Sequence, residues 1–278
     1  MLVRWRDNTF GMKKISIDDV KKIELDLLIQ FKKFCEEEEL TFFLGGGTLL
    51  GAIRHEGFIP WDDDIDLIMP RTDYQKMIRI LKEKSIGEDI QIQCVEFHNT
   101  EYPFVKLVNR RTLIKEKYVQ EKENKSIWID IFPLDVVPDS ESECKRVCRR
   151  ISFYKVLLAI SHSKPLNASN LKKKMGKMIL YPFLQLVGSK RLATLIQKTA
   201  LKFIVDESNY RMVLVWGYGM KERLPREVFA EKVEVKFEGT DFPAPIGWHV
   251  YLSLLYGDYN TLPPENERIT HEFEAWRI

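Results

Sequence analysis

Cysteine is scarce in this 278-residue chain, with four residues at Cys35, Cys94, Cys144 and Cys148. So few at this length do not make a disulfide scaffold, and a reducing, cytoplasmic setting is expected. Long apolar runs are missing too. The longest nearly uncharged stretch, Met178 to Gly188, has 11 residues, against roughly 20 for a membrane-spanning helix. The N-terminal MLVRWRDNTFGMKK contains no apolar core of signal-peptide length, so secretion is not expected. Repeats and low-complexity segments are also absent. The most telling absence is acidic. From Lys145 to Val205 there is no Asp or Glu in 61 residues, while 14 Lys and Arg fall in the same stretch. Subtracting those 14 from the formal +2 leaves −12 for the rest of the chain.

A chain that is 45% hydrophobic and 30% charged is expected to fold as a soluble globular protein with a sizeable core. Its basic stretch interleaves charge with apolar groups such as Val156, Leu157, Leu158 and Ile160, then Ile179, Leu180, Phe183, Leu184 and Leu186. Helices of that makeup suit an anionic membrane face, basic at the headgroups and apolar just below them. They equally suit a basic bundle packed on the acidic remainder. No nucleic-acid-binding motif accompanies the charge, so no nucleic-acid partner is expected. Cys144 and Cys148 share a helix face with His162 beyond, but no fourth zinc ligand is identifiable.

Periodicity predicts a helix over Ile15 to Glu39, with Ile23, Leu27, Phe31 and Phe34 on one face and a Ser16–Asp19 capping box. Thr41 to Gly45 reads as a short strand, followed by glycines and a short helix in TLLGAIRH. Asp64 to Met69 reads as a strand stopped by Pro70, and Asp73 to Lys84 as a helix. QIQCVEF, YPFVKLV and SIWIDIF are further strand candidates. This alternation indicates a mixed α/β domain up to about residue 135, and residues 140 to 205 read as helical throughout.

Chemistry concentrates in GGGTLLGAIRHEGFIPWDDDIDLIMPRTDY, residues 45 to 74. Asp64 and Asp66 are two apart in a strand-like run, so both side chains leave one face while Ile65 and Leu67 leave the other. Two carboxylates held together repel unless a cation sits between them, and their oxygens suit Mg²⁺ or Mn²⁺. A calcium loop is excluded, because its glycine and bidentate glutamate positions fall on Leu67 and Asp73. Gly45, Gly46 and Gly47 lie between strand and helix, where backbone N–H groups approach a phosphate and Thr48 adds a hydroxyl. Asp130, between Ile129 and Ile131, is a third acid whose apolar setting is costly without a partner or metal. It could also brace a neighbouring loop. Asp135 follows Pro133 and is expected to shape a turn.

These features resemble the nucleotidyltransferase fold, and more closely the LicD family of phosphocholine transferases, related to the fukutin-type phosphotransferases. The residues that carry the resemblance are 46 to 74, WIDIFPLD at 128 to 135, FEGTDFPAP at 237 to 245, YLSLLYGDY at 251 to 259, and LPPENER with His271. The resemblance implies an α/β (α+β mixed sheet) catalytic core over residues 1–139. A basic helical insertion over 140–205 and a C-terminal segment over 206–278 that completes the cleft would follow. It implies Mg²⁺-dependent (or Mn²⁺-dependent) transfer of phosphocholine, or a similar phospho-alcohol, from CDP-choline or another CDP-alcohol. The acceptor would be a sugar hydroxyl on a lipid-linked glycan, such as a lipopolysaccharide or teichoic acid precursor, at the inner membrane face. Asp64 and Asp66 would hold the metal, and Asp130 would be a further ligand or the base. Gly46, Gly47 and Thr48 would hold the nucleotide phosphates. Lys106 and Arg54 would add positive charge to the phosphates, with His55 beside them, although each also reads as a surface residue. Trp61, Trp128, Trp248, Tyr251, Tyr256 and Tyr259 are available to cage a choline headgroup. Two other readings stay open: a metal-dependent glycosyltransferase using a nucleotide sugar, and a catalytically inactive binding protein.

Overall fold

The computed structural model describes residues 12–116, 125–162, 171–203, 207–268 and 273–278. After a short strand β1 (Lys13–Ile15), helix α1 (Ile17–Glu37) starts on the expected capping box. Ser16 Oγ accepts from the Asp19 N–H at 3.1 Å, and Asp19 Oδ2 accepts from the Ser16 N–H at 3.3 Å. The helix buries Val20, Ile23, Leu27, Phe31 and Phe34, and Glu24 on the same face. Then come β2 (Phe43–Leu44), α2 (Gly46–His55), β3 (Asp66–Pro70) and α3 (Arg71–Ile80). The third helix starts two residues earlier than its apolar spacing predicts. Pro70 cannot donate to the strand ladder, so the chain leaves β3 and enters the helix at once.

Strands β4 (Ile90–Gln93), β5 (Val105–Asn109), β6 (Thr112–Glu116) and β7 (Trp128–Val137) follow. The basic stretch forms α4 (Glu141–His162), α5 (Leu171–Val187) and α6 (Ser189–Leu201). Its residues 163–170 and 204–206 lie outside the described residues. The chain closes with β8 (Tyr210–Met212), β9 (Leu224–Pro225), the hairpin β10 (Lys232–Phe237) and β11 (Thr240–Pro245), α7 (Trp248–Tyr256) and β12 (Phe273–Arg277).

The central mixed sheet runs β2-β3-β7-β5-β4, extended by β8 and β9 beside the far half of β7. Only the β3–β7 pair is parallel among these neighbours. A small separate sheet, β1-β12-β6, joins the two ends of the described chain. One continuous hydrophobic core includes Leu67 and Ile131 of the sheet, Phe31 of α1, Ile151 of α4 and Ile196 of α6. Among the described residues, the basic helices therefore contribute to the core of the sheet.

Asp135 departs from expectation. It does not shape a turn: it lies inside β7, fully buried, and accepts from Arg71 through both carboxylate oxygens, at 2.6 and 3.1 Å. Cys144 is buried, and Cys148 Sγ sits 3.8 and 3.9 Å from the sulfurs of Met212 and Met220. Cys148 thus packs against thioethers.

Candidate active site

Parallel pairing of β3 with β7 puts Asp66 opposite Asp130. Asp64 lies just before β3, and all three carboxylates line one cavity of about 280 Å³. Ile68 and Phe132, each two residues further along its strand, line it as well. Alternation along the two strands is thus realised, with Leu67, Ile129 and Ile131 turned into the core.

Lys106 of β5 pairs opposite Asp130, and its Nζ binds Asp130 Oδ1 at 2.6 Å. The ammonium lies 4.3 Å from the Trp128 ring centroid, 4.6 Å from Tyr102 and 5.2 Å from Phe104. Lys106 is only 6% exposed, so the surface alternative is excluded. Its charge reaches the cavity through Asp130.

The rest of the cluster is acidic. Burial, then Asp64, Asp130 and Asp62, hold the Asp66 carboxyl well above the usual carboxylate range. Asp130 is raised too, by burial first, with Lys106 working against it. Glu24, an acid on the buried face of α1 that the sequence did not single out, feels the charge of the same cluster. It is 4% exposed, its Oε2 has no hydrogen-bond partner among the described residues, and burial followed by Asp64, Asp63 and Asp130 raises its carboxyl strongly. Its position was legible: Val20 and Leu28 lie one turn to either side on the buried face. The carboxylate oxygens of Asp64, Asp66 and Asp130 that line the cavity, in a cluster where Glu24 carries an orphaned oxygen, are hard donors of the kind that suits Mg²⁺ or Mn²⁺. No three acidic, His or Cys side chains among the described residues form a ready-made chelate.

The glycine turn lies at the cavity edge. Gly46 has φ +47°, and a Cβ there would stand 3.2 Å from Asp66 Oδ2, so both backbone shape and space select glycine. A Cβ on Gly47 would come within 2.5 Å of Asp62 Oδ2. Two carboxylates therefore face the first turn of α2, where a helix favours negative charge. The Gly46 N–H donates to Tyr251 Oη at 3.0 Å. Thr48 is buried, and its Oγ accepts from the Asp66 N–H at 2.8 Å; in this structure it braces the metal-candidate strand. Arg54 is not among the cavity residues: Nη1 donates to the Tyr259 carbonyl at 2.9 Å and Nε to His55 Nε2 at 3.0 Å.

These contacts explain why family-like residues occur at both ends of the chain. Tyr251 meets Gly46, Tyr259 meets Arg54, and Glu238 of the β10–β11 turn accepts from the Phe58 N–H at 3.1 Å. Arg268 lies over Trp61, 4.8 Å from its centroid. His271 lies outside the described residues. Of the six aromatics named as cage candidates, Tyr251 alone lines the cavity. The cavity is also lined by Val213, Trp216, Tyr218 and Glu222, none of which periodicity singled out.

Comparison with known proteins gives the same grouping. Residues 39–175 match the family model described as LicD/FKTN/FKRP, nucleotidyltransferase domain. The chain is 31% identical to the lipopolysaccharide cholinephosphotransferase LicD of Haemophilus influenzae over 268 residues, covering 95% of this chain and 98% of that protein. An uncharacterized protein of Rickettsia prowazekii is 26% identical over 130 residues, covering 46% of this chain and 45% of its own length. With a nucleotidyltransferase-like mixed sheet, paired acids on neighbouring strands and end-to-end similarity of this kind, the chain belongs to the LicD family.

Proposed function

We propose that this chain transfers phosphocholine from CDP-choline to a sugar hydroxyl of a cell-surface glycan precursor, with a divalent ion as cofactor. The observation that carries the reading is the shared cavity of Asp64, Asp66 and Asp130 beside the Gly46 turn, in a chain similar along its length to a lipopolysaccharide cholinephosphotransferase. Asp64 and Asp66 would hold Mg²⁺ or Mn²⁺, leaving substrate phosphate oxygens to complete a coordination shell that protein carboxylates alone do not fill. When bound, such an ion neutralises charge on the diphosphate and on the departing CMP. Asp130, its carboxyl raised by burial and steadied by Lys106, takes the proton of the acceptor hydroxyl. The diphosphate lies over the Gly46–Gly47 turn, with Thr48 fixing Asp66 from below. CMP release should appear with CDP-choline, require Mg²⁺ or Mn²⁺, and stop with a chelator. Release of UDP from UDP-sugars instead, or metal-independent turnover, would reject the reading.

The acceptor side of this proposal is an anionic membrane surface. Among the described residues no helix is long and apolar enough to cross a membrane. Helix α5 nevertheless exposes Met175, Met178, Leu180, Phe183 and Leu186, the last at 81%. Lys190, Arg191 and Lys198 of α6 are exposed nearby in sequence. An apolar helix face with flanking cations suits shallow insertion among acidic lipids. Phe183→Asp with Leu186→Asp should cut binding to anionic vesicles at least about tenfold, since two buried apolar groups are lost and two negative charges gained. Vesicle flotation checks this, with circular dichroism as the folding control. Undiminished flotation would remove the membrane face from the proposal.

A further inference from the structure

The cavity lining combines two chemistries: the carboxylates Asp64, Asp66 and Asp130, and the group Trp216, Tyr218, Glu222 and Tyr251. Large aromatics that face a cavity are normally core residues, but Tyr218 is 69% exposed and Trp216 38%. Between them Gly217 leaves room: a Cβ there would collide with the Glu222 carboxylate. Glu222 is 5% exposed, and its Oε2 accepts the Tyr218 N–H at 2.6 Å. Burial pushes its carboxyl up to about 7. No ion pair reaches it among the described residues. Lys155, the cation acting on it, has its ammonium bound to the carbonyls of Trp216 and Gly217 at 2.9 and 3.0 Å and 5.3 Å from the Trp216 ring centroid, which leaves the exposed Tyr218 ring as the open aromatic face.

A buried carboxylate without a salt bridge, set in aromatic walls, is a poor place for Mg²⁺, which demands several oxygens and water. It is a good place for a bulky cation that cannot donate hydrogen bonds. Aromatic faces attract such a cation through the ring quadrupole, and a carboxylate at longer range adds charge without needing direct contact. We infer that Tyr218 and Glu222, beside Trp216, form the subsite for the quaternary ammonium end of the transferred group, and that they set headgroup specificity. The assignment rests on the phospho-alcohol transfer reading above and names the part of the cavity that selects the alcohol. An aromatic wall could instead stack the cytosine of the donor, and the test separates the two.

Two variants keep the fold out of question. Tyr218→Ala removes an exposed ring, and Glu222→Gln keeps an acceptor for the Tyr218 N–H while removing the charge. Each should weaken calorimetric binding of phosphocholine about tenfold. Binding of glycerol phosphate, which has no cationic end, should not change. In turnover, KM for CDP-choline should rise by a similar factor with kcat nearly unchanged, and KM for CDP-glycerol should stay put. Equal loss for both headgroups would assign the wall to the nucleotide and overturn the subsite; so would no loss for either, or a wild-type protein that does not bind phosphocholine. Absence of turnover by a wild-type protein that still binds phosphocholine selectively would count against the transfer reading and leave the subsite standing.

Discussion

Asp66→Asn is expected to lower CMP release by roughly 10³-fold or more, because the proposed mechanism sets that charge against the metal and diphosphate, where electrostatic stabilisation dominates. The fold should survive. What holds Asp66 in place is its backbone, through the Thr48 hydroxyl and the β3–β7 ladder, and asparagine preserves both. Its carboxyl is raised by burial and by three neighbouring acids, so keeping it ionised at neutral pH costs folding energy. Asparagine removes that cost. Thermal unfolding without metal should therefore occur at the wild-type temperature or slightly above it, while activity is lost. Asp64→Asn should behave alike. Near-normal turnover in both variants would refute the assignment of the acids, and a large fall in melting temperature would make the carboxylates structural.

How much of this site the sequence disclosed follows from distance along the chain. Asp64, Asp66 and Asp130 were legible because strand alternation is local, and an acid among isoleucines stands out. The register that sets Asp66 opposite Asp130 was not, since it depends on which strands pair. For Lys106 the sequence leaves a phosphate role and a surface position open, and only the pairing of β5 with β7 buries it against Asp130. Thr48 and Arg54 follow the glycines on α2, in its first and last turns, and their polar atoms are engaged by Asp66 and Tyr259. The 213–222 wall was invisible for a different reason. Its residues sit in turns and short helices without periodicity, and only the fold brings them over the acids. Glu24 could have been found, as the one charged residue on the buried face of α1.

Asp135 shows the converse, an acid near the motif whose work is structural. Asp135→Ala should destabilise the protein by about 3–5 kcal/mol, because it strands a buried guanidinium without its counter-charge. Arg71 is 6% exposed and donates to both Asp135 oxygens, and its Nη1 donates to Gln197 Oε1 at 3.0 Å. Gln197 passes the connection on, donating to the Pro103 carbonyl at 2.7 Å. This network ties the start of α3, the middle of β7, helix α6 and the approach to β5. Exposed pairs such as Lys14–Glu274 bear no comparable burden, since solvent screens them. The double variant Arg71→Met with Asp135→Leu should recover much of the loss, as apolar groups of similar volume can replace a buried pair at little cost. Urea unfolding of the two single variants and the double variant measures the coupling directly. A single-variant loss below about 1 kcal/mol, the size of a surface pair, would mean that the network is incidental. If the loss is large, Asp135→Ala should also impair turnover, because Asp135 pairs with Met212 at the root of the segment that carries Val213 and Trp216 to the cavity. The double variant should restore stability and turnover together, which separates bracing of the site from participation in its chemistry.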